Sequence, residues 1–120
     1  MNPDSRATMA RIHTLPDGRR VRLRLARARD EESLRGLLRR SRSNHDGMEP
    51  ERLARFDPRS AVVICATALV DSAQEVVGVG AADLNGADPP DVVVDEEQDG
   101  ALGELLRQAL DGRLSARRRR

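Results

Sequence analysis

Apolar and polar residues first alternate where Val21, Leu23 and Leu25 are separated by Arg20, Arg22 and Arg24. A period of two puts the apolar side chains on one face, which predicts a half-exposed strand over residues 19–27. The preceding Leu15-Pro16-Asp17-Gly18 reads as a turn, Pro pre-setting φ and Gly supplying a positive φ. The period then changes. Leu34, Leu37 and Leu38 recur at i, i+3 and i+4 and predict an amphipathic helix over residues 31–40. Asp30 is placed as its N-cap, and Glu31 and Glu32 sit in the first turn, where the helix dipole favours acids. Residues 41–47 read as a loop. Pro50 suits a helix start, and Leu53, Ala54 and Phe56 mark a short second helix that ends before Pro58.

From Ala61 the alternation gives way to continuous apolar runs. Residues 61–69 and 75–84 predict two strands, and the short link Asp71-Ser72-Ala73-Gln74 makes them an antiparallel hairpin. Asn85 to Pro90 is a break. Asp91-Val92-Val93-Val94-Asp95 predicts a third, short strand of this half. Gly100 then opens a helix in which Leu102, Leu105, Leu106, Ala109 and Leu110 form one apolar stripe, and Gly112 is placed to cap its end. The predicted order is β-α-α-β-β-β-α, an α+β chain with a mainly antiparallel sheet.

Length and composition bound this picture. The 120 residues suit one domain. Residues 1–12 read as a flexible N-terminus, 13–112 as the folded unit and 113–120 as a solvated Arg-rich tail. Phe56 is the only aromatic residue, so aliphatic side chains must fill a lean core. Met1 to Arg11 holds no apolar run of the signal-peptide kind, and Ala61 to Val70 is about half the length a bilayer span needs. A single cysteine, Cys65, excludes an internal disulfide framework. These features give the expectation of a cytoplasmic protein with no membrane segment. Cys65 lies within an apolar strand and reads as buried packing. His13 and His45 lack metal-ligand spacing with it, so no metal is expected.

The formal charge of +1 conceals a segregation. Residues 1–60 carry 15 Arg against 9 acids, whereas residues 61–112 carry 1 Arg against 11 acids. The arginines lack the aromatic interleaving that base stacking uses, so nucleic acid is not an expected partner. The row Arg20, Arg22, Arg24 reads as a solvated face, with docking against an acidic surface, the chain's own residues 71–111 among the candidates, as the alternative.

The chemistry-bearing segment is Val94-Asp-Glu-Glu-Gln98-Asp-Gly100-Ala101-Leu-Gly103-Glu-Leu-Leu106. It resembles the cofactor motif of the GNAT superfamily of N-acetyltransferases, in which Gln or Arg precedes two variable residues, Gly, one variable residue and Gly or Ala. Ala101 stands at the motif's first Gly. Val76-Val77-Gly78 is similar to the family's middle strand, and residues 16–30 to its entry strand and first helix. The resemblance implies a truncated GNAT-like fold over residues 13–112. It also implies an acetyl-CoA-dependent N-acetyltransferase acting on a primary amine, either small-molecule or protein. In that reading Gln98, Gly100, Ala101, Leu102 and Gly103 bind the cofactor through the helix N-terminus, and the acetyl group lies beside the preceding strand, near Val92 to Val94. Asp91, Asp95 and Glu96 are the candidate general bases, on the strand where the family often keeps one.

Two further expectations come with the resemblance. The family's closing strands lie beyond the predicted helix, so the last strand should present an open edge through which a homodimer could form. The alternative function is a non-catalytic acyl-CoA-binding or protein-interaction module. The same residues also suit a plain reading, a glycine-started helix packed on a sheet with acids at its N-terminus.

Overall fold

The alternating segment centred on Leu23, with Arg22 and Arg24 beside it, is a strand in the computed structural model, which describes residues 11–41, 48–70, 73–84, 90–95 and 100–118. In chain order the strands are β1 (Ile12–Thr14), β2 (Arg20–Leu25), β3 (Ala61–Val70), β4 (Ala73–Asp83) and β5 (Asp91–Val94). The α-helices are α1 (Glu31–Arg40), α2 (Pro50–Ala54) and α3 (Ala101–Arg118), with a single 3-10 turn, Ala28–Asp30, leading into α1. All pairings are antiparallel and the sheet order is β1-β2-β3-β4-β5, a meander with β1 and β5 at its edges. The protein is therefore a mixed α+β fold.

The helices divide between the two faces of the sheet. On one face α3 buries Leu102, Leu106, Ala109 and Leu110 against Val21, Leu23, Val62, Ile64 and Val77. On the other, Leu34, Leu37 and Leu38 of α1 and Leu53 of α2 cover Val63, Cys65, Val76, Val79 and Val93. Coverage on both sides explains why β3 and β4 are apolar without alternation, whereas β2 is covered on one side only and alternates. Between Ala66↔Gly78 and Thr67↔Val76 the register shifts and leaves Val77 as an extra residue, a β-bulge. Gly78 and Gly80 follow it beneath α3. An added Cβ on Gly78 would lie 3.0 Å from Leu106 Cδ1, and one on Gly80 would lie 2.8 Å from Leu110 Cδ1. These glycines let α3 approach the strand closely.

Three expectations change. Asp30 does not cap α1 with its side chain. Its carboxylate turns back to accept both Arg24 guanidinium nitrogens at 2.7 Å and the Arg27 N–H at 2.7 Å. Burial raises the Asp30 pKa, but these donors outweigh it and hold the carboxyl below its ordinary value. Gly112 does not end the last helix, which continues to Arg118. Leu114 prolongs the apolar stripe and packs on the core, offsetting the ~1 kcal/mol that Gly costs within a helix. Gly100 precedes the helix rather than opening it, at φ +74, a left-handed value that favours glycine.

Candidate functional site

β5 is an edge strand, and among the described residues no strand pairs with its outer side. The Asp95 N–H donates to Val77 O at 2.9 Å. Antiparallel ladders alternate inward and outward bonding, so Val93 bonds toward β4 while Val92 and Val94 turn their N–H and C=O groups to the open edge. Val92 and Val94 are half-buried against α3, and Val93 is buried beneath α1. The expected open edge is thus present, bordered by the bulge at Val77 and by the start of α3.

The motif residues fall at that start. Gly100 is exposed, Ala101 half-buried, and Leu102 and Gly103 buried. Leu102 points into the core over Gly78. A Cβ on Gly103 would meet Val92 Cγ1 at 3.9 Å and Arg107 Nη1 at 3.5 Å, both ordinary contacts. Gly103 therefore sits between α3 and β5, and the Arg107 guanidinium folds back toward the helix start. Arg107 is exposed and the only base among residues 61–112. Gln98 and Glu96 lie outside the described residues.

The remaining carboxylate candidates separate. Asp95 is committed: its Oδ2 accepts from Arg19 Nη1 at 2.7 Å, across 76 positions of sequence. Burial lowers the Arg19 pKa, but its bonds to Asp95 and Asp17 prevail and hold its proton more firmly than usual. Asp17 in turn accepts the Arg19 N–H and Nε, each at 2.9 Å, and the backbone bond chiefly lowers its pKa. The turn between β1 and β2 is thereby tied to the segment that leaves β5. Asp91, at the other end of β5, is exposed. It lines a cavity of about 570 Å³ between α2 and the ends of β3, β4 and β5. Glu49, Asp57 and Asp83 also line that cavity, together with Arg52, Arg55 and the aromatic Phe56.

Four acids against two arginines favour a cationic occupant, and an aromatic face adds to that preference. The residues near Asp57 are far in sequence from Asp83 and Asp91, so the cavity has no local signature. The Arg19–Asp95 pair is equally invisible in the sequence, because nothing around Arg19 distinguishes it from its neighbours. Cys65 is fully buried, and burial pushes its thiol pKa up to about 12, which fits packing and not nucleophilic chemistry. Among the described residues no group of three or more His, Cys, Asp or Glu is placed to hold a metal ion. No described helix is long and apolar enough to cross a membrane. No family model, curated protein or solved structure matches this chain.

Proposed function

We propose that the chain is an acetyl-CoA-dependent N-acetyltransferase of the GNAT kind, transferring acetyl to a primary amine. One observation carries the reading. The open edge of β5 runs through a short connection, ended by Gly100 at positive φ, into a long helix whose first turn holds Ala101 and Gly103. An extended acyl-CoA arm bears amides that can bond to the outward groups of Val92 and Val94, much as a peptide adds to a sheet edge. In this arrangement the diphosphate lies at the positive end of the α3 dipole, and Arg107 supplies a counter-charge.

The cavity at the start of β5 receives the amine. Its excess of acids attracts the ammonium form, and Asp91 is the available carboxylate to take one proton from it, freeing the nitrogen lone pair to attack the thioester carbonyl. An outward strand N–H stabilises the charge that develops on the carbonyl oxygen. The nitrogen–acyl bond forms, the carbon–sulfur bond breaks, and CoA leaves as a thiolate that takes up the second proton released from the nitrogen. A non-catalytic acyl-CoA-binding module is the second reading, favoured by Asp95 being held in an ion pair with Arg19.

Calorimetry with acetyl-CoA tests the first part. Binding is expected, with Arg107→Glu weakening it roughly tenfold through lost and reversed phosphate attraction. No heat from millimolar acetyl-CoA would overturn both readings. A thiol-release assay across a panel of diamines and monoamines then separates them. Turnover that Asp91→Asn depresses supports the enzyme, whereas binding without turnover supports the module.

A further inference from the structure

α1 and α2 cover only part of their face of the sheet. Over β1 and the first part of β2 nothing described lies above Arg20 and Arg22, which the strand alternation turns to that side, away from Val21 and Leu23, while Arg24 on the same side is paired with Asp30. Antiparallel pairing sets Ile12 directly beside Arg22 and places Thr67 on Arg22's other flank. Two residues beyond Thr67, Leu69 faces the same way. Ile12 and Leu69 are the exposed large hydrophobics of the described residues, at 56% and 72% exposure.

Two cavities furrow this face. One, of about 220 Å³, lies among Ile12, Arg20, Arg22 and Leu69. The other, of about 310 Å³, lies among Arg24, Arg27, Arg29 and Ser33. Both are lined by Thr67 and Gln74, so they form one trough. Thr67 is buried, and its hydroxyl donates to Arg22 O at 3.3 Å, leaving a neutral, satisfied floor. Asp30 is the one acid lining the trough, and the forked pair with Arg24 neutralises it. Among the described residues the guanidinium groups of Arg20, Arg22, Arg27 and Arg29 have no ion-pair partner.

We infer that this trough is a docking site for an extended acidic segment of a partner protein, one in which carboxylates alternate with apolar residues. Arg20 and Arg22 project about 6.7 Å apart, the repeat of every second residue in an extended chain. Acids at that period meet the arginines, and the apolar residues between or beside them cover Ile12 and Leu69. The exposed positive charges of Arg20, Arg22, Arg27 and Arg29 disfavour a neutral or basic occupant. Nucleic acid is matched less well, because the trough has no aromatic platform: Phe56, the only aromatic residue of the chain, lines the separate cavity beside α2. A phosphate backbone would also leave Ile12 and Leu69 without apolar contact. A second copy of this chain is a weaker match, since a uniformly basic face cannot pair with itself about a two-fold axis.

Fluorescence anisotropy with a labelled short peptide of alternating Glu and Leu tests the inference on the full chain. Binding is expected at moderate salt, and the same peptide with Lys for Glu should bind at least roughly tenfold more weakly. Arg20→Glu with Arg22→Glu should reduce affinity roughly tenfold or more, and Leu69→Ser should reduce it severalfold without changing charge. All three positions are exposed, so the variants should retain the wild-type circular dichroism and melting midpoint. Peptide affinity indifferent to these substitutions would overturn the inference. So would tighter binding of a short single-stranded DNA that the arginine variants abolish, which would assign the face to nucleic acid. Self-association of the protein alone that the same variants abolish would assign it to a second copy and overturn the inference equally.

Discussion

Asp30→Ala removes three hydrogen bonds of 2.7 Å at once, two from the Arg24 guanidinium and one from the Arg27 N–H. The Asp30 side chain is only 6% exposed, so little water can replace it, while Arg24 at 23% retains some access to solvent. Breaking a fully buried pair costs about 3–5 kcal/mol, and the partial access of Arg24 lowers that to about 2–3 kcal/mol here. Urea unfolding followed by circular dichroism measures the loss. With a slope of about 1–2 kcal/mol/M for a chain of this size, the midpoint should fall by roughly 1–3 M with the slope unchanged. The companion double variant Arg24→Met/Asp30→Leu should recover much of the loss, because neither partner is then left as an uncompensated charge. A midpoint for Asp30→Ala within about 0.3 M of the wild type would show that the pair contributes nothing net. The sign with pH follows from the depressed Asp30 pKa. The carboxylate's stabilisation is complete above its ordinary value of 3.8 and is lost as pH falls below it. Asp30→Asn should flatten that part of the acid-unfolding curve.

Gly80→Ala should destabilise by about 1–3 kcal/mol, because the new methyl enters a packed interface, and pairing it with Leu110→Ala should be less than additive; thermal melting measures both. Cys65, fully buried with its thiol pKa pushed up to about 12, should not react with a disulfide reagent at mildly alkaline pH until the protein unfolds; prompt labelling of the native protein would contradict that placement. If the outer edge of β5 recruits a second copy, light scattering should detect a concentration-dependent dimer. Val94→Pro should then dissociate it, since this residue's N–H faces the edge and not β4. Val93→Lys would confuse the same test, because Val93 is buried beneath α1.

Element types were legible in the sequence wherever one periodicity held. The α1 stripe of Leu34, Leu37 and Leu38 and the alternation of β2 each correspond to the face they bury. The missed strand β1 has three residues, too few to establish a period. Gly112 misled because its local preference was outweighed by Leu114, whose contact with the core depends on tertiary position. Asp30 misled in the same manner: a capping residue by spacing, it finds a stronger partner in Arg24 on the preceding strand. At the candidate site, a helix starting near Gly100 could be read in advance. The engagement of Asp95 and the exposure of Asp91 to a cavity could not, since both depend on how distant segments converge.

The nearest-neighbour order of the sheet has a consequence for assembly during synthesis. Each strand pairs with the strand before it in the chain, so the sheet can grow in the direction of translation without waiting for a distant partner. Helix α3 is the exception. Until it emerges, the face bearing Val62, Ile64 and Val77 has no cover, and the nascent chain presents an apolar sheet to its surroundings. The interval between completing β5 and docking α3 is therefore when the chain depends most on the ribosome's shelter or a chaperone.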